Sequence, residues 1–181
     1  MGYFFSGSWT LKLDEKGRFV LPKTFRLGLV EEAQEEFVMC LGLGKCVAIY
    51  KRSDIDRIVK KFQEKAHSAK HQPFFTTFFS TLHQTSCDRL GRTAIPAFLK
   101  DIIGINKEIV VAGVMNRIEI WPKEVYERQL RQILDGKDEK WDLQKMAEEA
   151  FSLLDEEKEE VKVKLTEGTL SNIVEPALHP R

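Results

Sequence analysis

The sequence contains no long apolar run and only three cysteines. Its apolar stretches last for a handful of residues, so no segment is predicted to cross a bilayer as a helix. The first residues have neither a basic start nor a long apolar stretch, so no signal peptide is predicted. Cys40, Cys46 and Cys87 are an odd number in apolar or strand-like surroundings, which predicts reduced core residues of a cytoplasmic protein.

The motifs of the common catalytic sites are also missing. The sequence has no glycine-rich nucleotide loop, no nucleophile elbow and no His-Glu-x-x-His segment, so no catalytic residue and no cofactor are predicted. Four metal-type side chains occur as two pairs, His67 with His71 and His83 with Cys87. Because the spacing between the pairs is arbitrary and Cys87 falls in a predicted strand, no metal site is predicted.

Charge is balanced overall but divided along the chain. Residues 1–134 contain 21 basic and 15 acidic residues, a net charge of +6. Residues 135–181 contain 7 basic and 13 acidic residues, a net charge of −6. A basic body with an acidic tail favours a polyanion as ligand, and the alternative is that the tail is simply a solvated acidic helix.

One ten-residue segment occurs twice. Residues 13–22 read Leu-Asp-Glu-Lys-Gly-Arg-Phe-Val-Leu-Pro, and residues 87–96 read Cys-Asp-Arg-Leu-Gly-Arg-Thr-Ala-Ile-Pro. In each copy the Asp begins a turn and the Gly supplies its left-handed residue, which predicts a strand, a tight turn and a return strand as a hairpin. Pro22 and Pro96 end the return strands and suit the first turn of a short helix.

An internal repeat of this kind sets the architecture of the chain. Each copy is predicted to form two strands, a short helix, two further strands and a longer helix. The second strand pairs are predicted at 37–41 with 46–50 and at 108–112 with 117–121, and the longer helices at 53 to about 66 and at 123 to about 134. The predicted organisation is a first repeat at 7–53, a connecting helical segment at 54–81, a second repeat at 82–125, and a helix with an acidic extension at 126–181.

Two segments outside the repeated turns are strongly apolar. The aromatic segment from Pro73 to Phe79 is predicted to pack in the core where the two halves meet. In the tail, apolar residues from Leu143 to Leu154 recur on one face of a predicted helix, and Val161 to Leu165 alternate as in a short strand. Such an amphipathic helix is expected to cover its own body or a neighbouring subunit; a separate protein partner is the alternative.

The basic residues around the two turns are the candidate binding site. A two-stranded ribbon fits the major groove of DNA, and Arg or Lys is the usual reader of guanine. The candidate DNA-binding residues are Lys12, Lys16, Arg18, Lys23, Arg89 and Arg92. The residues predicted to shape and orient the turns are Asp14, Gly17, Asp88 and Gly91. Two further basic residues, Arg26 and Lys100, lie on the short helices that follow.

The alternative interpretation of the Asp–Arg pairs is structural. Asp14 with Arg18, and Asp88 with Arg92, are then ion pairs that only fasten the turns. The two interpretations are compatible, because a paired Asp would orient an Arg that also contacts DNA.

These motifs resemble the MraZ family of bacterial transcription regulators. The resemblance depends on both Asp-x-x-Gly-Arg motifs with their prolines, on Phe78-Phe79-Ser80, and on the segment from Val110 to Trp121, and it covers about residues 1–131. It implies an α+β fold of two tandem SpoVT/AbrB-like half-units that form a swapped-hairpin β-barrel with peripheral helices, to which the C-terminal amphipathic helix is added. It also implies a ring-like homo-oligomer that binds short direct repeats upstream of the division and cell-wall gene cluster.

The chain departs from the family pattern in two places. The first turn offers Glu15-Lys16 where the second offers Arg89-Leu90, so the basic tip is shifted by one position and the halves are not expected to make identical contacts. The tail from Asp135 exceeds the usual family length, so the resemblance implies no role for it.

The predicted function is a sequence-specific, double-stranded-DNA-binding transcriptional regulator without catalytic activity. It is expected in the cytoplasm, associated with the nucleoid and not with a membrane. The alternative is an AbrB-like scaffold or antitoxin whose main partner is a protein held by the C-terminal helix. A third role, for the acidic tail alone, is to compete with DNA for the basic loops.

Overall fold

Each copy of the repeat folds as two strands, a short helix, two strands and a longer helix. In a computed structural model, which describes residues 3–30, 36–65, 69–136 and 142–153, the elements of the first copy are β1 Ser8–Lys12, β2 Arg18–Val20, α1 Lys23–Leu29, β3 Glu36–Leu41, β4 Val47–Lys51 and α2 Arg52–Lys65. A 3-10 turn, Ala69–His71, and α3, Gln72–Ser80, connect the copies. The second copy contains β5 His83–Ser86, β6 Arg92–Ala94, α4 Ala97–Ile103, β7 Glu108–Val114, β8 Arg117–Pro122 and α5 Lys123–Asp135.

The strands form two antiparallel sheets, which together with the helices make an α+β fold. The larger sheet has six strands in the order β1-β7-β8-β4-β3-β5, and the smaller pairs β2 with β6. In the two copies β1 corresponds to β5, β3 to β7 and β4 to β8. When each strand is replaced by its counterpart, the strand order of the large sheet is the same read from the opposite end. The register agrees, because Phe19 lies opposite Thr93 and Ala48 opposite Glu119. A local two-fold axis therefore relates the two copies and passes through both sheets.

The predicted hairpins around the repeated turns are wrong in one respect. The strands on either side of a turn do not pair with each other: β1 pairs with β7, β5 pairs with β3, and the return strands β2 and β6 pair across the copies. Strand exchange buries apolar surface that one small copy could not cover alone. The two copies therefore fold together.

The core lies on one face of the large sheet and beneath the small one. Alternate side chains of β3, β4, β7 and β8 point into it. The side chains between them, such as Val38, Cys40 and Val110, are buried as well, so these strands are covered on both faces. The short helices α1 and α4 begin after Pro22 and Pro96 as predicted, and α4 ends at Gly104 with a φ of +74°. The largest fully buried members are Phe5, Phe25, Phe37, Leu21, Met39, Ile49, Leu99, Ile109, Ile118 and Ile120.

The aromatic segment before the second copy is not part of this core, so the prediction of core packing is wrong. No residue of α3 is buried, and the side chains of Phe74 and Phe79 are 45% and 37% exposed. The four phenylalanines of α3 instead surround Phe62 of α2 with ring centroids 5.1–6.2 Å apart. They form a separate aromatic cluster on helices α2 and α3 that leaves apolar surface open.

The chain divides into two compact units, Met1–Arg128 and Gln129–Arg181. In the second unit residues 143–153 form a helix, α6, as the tail periodicity predicts. Its apolar side chains Leu143, Phe151 and Leu153 are 52%, 68% and 61% exposed. The predicted strand at Val161–Leu165 and the acidic run before it lie outside the described residues. Among the described helices, none has the length and apolar character to cross a membrane.

Candidate nucleic-acid interface

The first repeated turn, Asp14–Arg18, is built around one carboxylate. Asp14 Oδ1 accepts hydrogen bonds from the backbone N–H groups of Lys16 and Arg18, both at 2.9 Å. Arg18 donates from Nε to Asp14 Oδ2 at 2.8 Å, and its Nη2 lies 2.8 Å from the same oxygen. Gly17 N–H closes the turn on Asp14 C=O at 2.9 Å, and Gly17 has a φ of +71°. We call this turn loop 1.

The second repeated turn, Asp88–Arg92, has the same geometry and is called loop 2. Asp88 Oδ1 accepts from the N–H groups of Leu90 and Arg92 at 2.9 Å, and Asp88 Oδ2 accepts from Arg92 Nε at 2.8 Å. Gly91 N–H donates to Asp88 C=O at 2.8 Å, with a Gly91 φ of +76°. The fastening Asp–Arg pairs, which the sequence left as an alternative, are therefore present in both loops.

These bonds also keep each carboxylate charged. The pKa of Asp14 is lowered below its ordinary value, first by the Arg18 backbone N–H and then by the Arg18 side chain. The pKa of Asp88 is lowered in the same way by the backbone and side chain of Arg92. Near neutral pH each aspartate is thus an anion that holds an arginine in a fixed direction.

The small sheet places the two loops at its opposite ends. Arg18 lies opposite Ala94 and Val20 opposite Arg92, so the two arginines are two positions apart along the ribbon, about 7 Å. Phe19 and Thr93 point inward and are buried, so Arg18 and Arg92 share the outer face. On this outer face Arg18 and Arg92 are half-exposed, and their two guanidinium groups are related by the local axis.

The remaining predicted binding residues are on the surface around the loops. Lys12, Lys16, Lys23 and Arg89 are all exposed. Lys12 lies at the end of β1 opposite Glu108 of β7, and Lys23 begins α1. At the loop tips, loop 1 exposes Glu15 and Lys16 and loop 2 exposes Arg89 and Leu90, of which Leu90 is 66% exposed. A polyanion would thus meet two similar frames with different tip chemistry.

Arg26 and Lys100, which the sequence predicts on the short helices, also lie at the loops. A Cβ added to Gly91 would lie 2.5 Å from Arg26 Cζ, so the Arg26 guanidinium packs directly on loop 2. A Cβ added to Gly17 would lie 3.9 Å from Lys100 Nζ. Arg26 and Lys100 are 74 positions apart, as are the two loops. The repeat spacing shows this equivalence, but only the strand exchange shows which loop each cation reaches.

Open cavities border the short helices, and they differ in charge. The cavity beside α1 and loop 2, of about 620 Å³, has three cations and one carboxylate in its lining: Lys23, Arg26, Arg89 and Asp88. The cavity beside α4, of about 780 Å³, has three lysines and four carboxylates: Lys100, Lys107, Lys123, Asp101, Glu108, Glu124 and Glu127. The loop 2 side is therefore the more favourable for an anion.

The cysteines and histidines do not assemble a reactive site within the described residues. Cys40 and Cys46 are free thiols with no exposed surface, and burial raises the pKa of both to about 12, so they stay protonated. Cys87 is half-buried against the core. No three His, Cys, Asp or Glu side chains of the described ranges approach closely enough to hold a metal ion, and His67 lies outside those ranges.

Comparison with known families gives a match over most of the chain. A family described as "MraZ protein, putative antitoxin-like" matches residues 4–76 and 78–152, one segment for each copy of the repeat. The match continues past Asp135 to residue 152, so the prediction that the tail from Asp135 exceeds the family length is wrong for that part of the tail.

Curated relatives agree with this family. A protein of Natranaerobius thermophilus named transcriptional regulator MraZ is 31% identical over 155 residues, which is 84% of this chain and 95% of the relative. Proteins of the same name from Clostridium acetobutylicum and Syntrophomonas wolfei are 36% and 35% identical over 123 and 121 residues. Each of these two matches covers 66% of this chain and 82% of the relative.

Proposed function

The chain belongs to the MraZ family, and we propose that it is a sequence-specific DNA-binding transcriptional regulator that acts by binding and not by catalysis. Its ligand is double-stranded DNA carrying short direct repeats, upstream of the division and cell-wall gene cluster. Its place is the cytoplasm, on the nucleoid. The names of its relatives support regulation, and the loops described above support DNA as the ligand.

One observation carries the proposal: two identical Asp–Arg frames stand at the ends of one outward-facing ribbon. A two-stranded ribbon has the width that the major groove accepts, and guanidinium groups held in a fixed direction can pair with the N7 and O6 atoms of guanine. Lys12, Lys16, Lys23 and Arg89 surround the ribbon and can neutralise phosphates. Arg18 and Arg92 are then the base-reading or backbone-positioning residues that Asp14 and Asp88 orient.

The proposal includes assembly into a ring-like homo-oligomer. The aromatic cluster of α2 and α3 supports it, because Phe74 and Phe79 leave large apolar surface exposed on a helix without a buried residue. A ring would present the loop pairs repeatedly and would give tandem DNA repeats an advantage in avidity over one repeat. Native mass spectrometry of the full chain measures the subunit number, and a monomer at micromolar concentration would contradict this part.

Selection of bound duplexes from a random pool tests the function directly. We expect the full chain to recover a short motif repeated in direct orientation at fixed spacing. On such a duplex, Lys16→Ala with Arg89→Ala should lower affinity by about tenfold or more. The salt slope, which is the slope of the logarithm of the binding constant against the logarithm of the salt concentration, should become less steep by about 0.9 for each phosphate contact that is lost.

The matched control is Lys60→Ala with Lys61→Ala on α2, which removes the same charge from exposed positions away from the ribbon. It should bind DNA like the unmodified chain. Recovery of no enriched motif, or equal losses in the loop variant and the α2 variant, would overturn the proposed function.

A second function is favoured by two observations: the family description contains the term antitoxin-like, and α6 exposes an apolar face. The chain would then be an AbrB-like scaffold or antitoxin whose partner is a protein bound by the C-terminal helix. Removal of residues 135–181 separates the two functions. If DNA binding persists and a co-purifying protein is lost, α6 is a partner site; if DNA binding tightens instead, the acidic tail competes with DNA for the loops.

A further inference from the structure

We propose that each DNA-contacting loop is completed by a cation from the other copy of the repeat. Loop 2 acts together with Arg26 of α1, and loop 1 acts together with Lys100 of α4. This inference depends on the proposed DNA-binding function and adds to it the residues, and the pairing between copies, that set the two contact surfaces.

The strand exchange explains which helix lies beside which loop. Because β2 runs antiparallel to β6, the end of β2 at Val20 lies beside Arg92, where loop 2 ends. Leu21 N–H continues the contact and donates to Gly91 C=O at 3.0 Å. Pro22 then starts α1, so the first helix begins next to loop 2 and not next to the loop that precedes it in sequence.

Arg26 is fixed against loop 2 from both sides. Its Nε donates to Leu21 C=O at 3.1 Å, and its guanidinium packs on the Gly91 backbone, where a Cβ would lie 2.5, 2.6 and 2.8 Å from Cζ, Nη1 and Nε. Gly91 is buried whereas Gly17 is half-exposed, which reflects this cover. Glycine is thus favoured at position 91 by its positive φ, and any larger residue there would also have to displace the Arg26 guanidinium.

Lys100 is the counterpart at loop 1, with a looser contact. Its Nζ lies 3.9 Å from the position of a Cβ on Gly17. A lysine there is a mobile point charge, whereas the planar guanidinium of Arg26 offers fixed, directed donors. Loop 1 therefore receives a flexible phosphate contact, and loop 2 receives a rigid one.

Both helix cations are free to meet a phosphate. Within the described residues neither Arg26 nor Lys100 forms an ion pair with a carboxylate. The nearest acid of loop 2, Asp88, is already occupied by Arg92. Lys23, Arg26 and Arg89 line the same open cavity, so one backbone phosphate there would meet charge from both copies.

A pair of double-mutant cycles tests this pairing on a duplex recovered from the random pool. Arg26→Ala should be coupled to Arg89→Ala, and Lys100→Ala to Lys16→Ala. If each single substitution lowers affinity about tenfold, additive effects would give about a hundredfold loss in the double variant. For the two coupled pairs we expect the loss in the double variant to be smaller than this by about threefold or more. The same-copy doubles, Arg26→Ala with Lys16→Ala and Lys100→Ala with Arg89→Ala, should be additive.

Arg26→Lys separates charge from shape. It should keep the salt slope of the unmodified chain but lose part of the affinity, whereas Arg26→Ala should lose about 0.9 of slope as well. An unchanged slope in Arg26→Ala would contradict a phosphate contact. Melting curves show whether each variant is folded before it is compared.

The outcomes distinguish this inference from the function on which it depends. Coupling of Arg26 to Lys16, with additivity toward Arg89, would overturn the cross-copy pairing while DNA binding stands. Failure of the unmodified chain to select any duplex would overturn the function, and the inference with it.

Discussion

Loop 1 and loop 2 share one frame and carry different side chains on it. In both, the Asp accepts two backbone bonds at 2.9 Å and one arginine bond at 2.8 Å. The tips differ, with Glu15 and Lys16 in one loop and Arg89 and Leu90 in the other. The supporting cation is Lys100 in one and Arg26 in the other. The positions that shape the turn are therefore the same, and those that would touch a ligand are free to differ.

This difference extends below the loops. The cavity on the Arg26 side is bordered mainly by cations, whereas the cavity beside α4 is bordered by more carboxylates than lysines. A molecule with a two-fold backbone can thus present one strongly basic and one mixed surface. In the proposed complex with directly repeated DNA sites, such asymmetry would give the chain a direction, which a strictly two-fold chain would lack.

The largest expected effect comes from removing the carboxylate that both frames require. Asp14→Ala and Asp88→Ala each delete three hydrogen bonds to a loop and release its arginine. We expect each to weaken DNA binding by roughly tenfold or more, since one well-placed arginine contributes about that much discrimination. Gel shift of the selected duplex measures the loss.

The Asn variants at the same positions are the matched controls. Asn keeps an oxygen for the two backbone N–H groups but removes the charge that holds the arginine. Asp14→Asn and Asp88→Asn should therefore lower the melting temperature less than the Ala variants do and lose part of the affinity. If DNA affinity falls for the variants of one loop only, then only that Asp–Arg frame contributes to DNA binding and the two frames are not equivalent.

A smaller effect should distinguish the loops by stability. Gly17→Ala and Gly91→Ala both place a Cβ on a residue with positive φ, which costs about 1 kcal/mol each. At Gly91 the Cβ would also lie 2.5 Å from the end of the Arg26 side chain, so the guanidinium must move and lose its bond to Leu21 C=O, and we expect up to about 1 kcal/mol more. Urea unfolding measures both free energies.

The double variant Gly91→Ala with Arg26→Ala tests whether Arg26 causes the additional cost at position 91. Without the guanidinium, Gly91→Ala should destabilise the fold by the same free energy as Gly17→Ala. Equal costs for the two glycine variants would show that Arg26 does not hold loop 2.

The sequence was sufficient to predict the local parts of the site. Asp at the first position and Gly at the fourth specify a turn by their own conformational preferences, and both glycines are left-handed as predicted. Pro22 and Pro96 mark the starts of α1 and α4 for the same local reason. The MraZ family and the α+β fold were also predicted from these motifs and are confirmed.

The sequence was not sufficient for contacts that depend on which strands pair. A strand–turn–strand pattern has the same appearance whether β2 returns to β1 or exchanges with β6, so the pattern alone predicts neither the strand pairing nor the loop that Arg26 contacts, and only the family resemblance implies exchanged hairpins. The prediction that the phenylalanines of α3 pack in the core is wrong because aromatic content indicates burial but does not indicate which residues provide the contacts. Phe62, which they surround, lies ten or more residues away on another helix.

A modest effect is expected where the two-fold axis crosses the ribbon. Phe19 and Thr93 are opposite each other and buried, but the Thr93 hydroxyl finds no hydrogen-bond partner within the described part of the chain. Thr93→Val keeps the shape and removes the unsatisfied group, so it should stabilise the fold by about 1 kcal/mol. Urea unfolding gives the value, and destabilisation would mean that the hydroxyl is bonded in solution.

The smallest expected difference between the loops lies in their response to acid. Since the pKa of both Asp14 and Asp88 is lowered in the folded chain, each carboxylate stabilises its loop fully above the ordinary aspartate pKa of about 3.9. That contribution is lost as the pH falls through the lower folded-state pKa, because the unfolded chain then binds protons more readily. The arginines remain charged throughout.

Carboxyl chemical shifts of the two aspartates, followed by NMR from pH 6 downward, should therefore give two midpoints that are both below the ordinary value and equal to each other. Arg26 and Lys100 are not paired with either carboxylate, so the asymmetric cations should not separate them. Clearly different midpoints would mean that the tip or helix cations reach the Asp–Arg frames. The loops would then differ in the shared part of their structure, and the division between a common frame and divergent contact residues would fail.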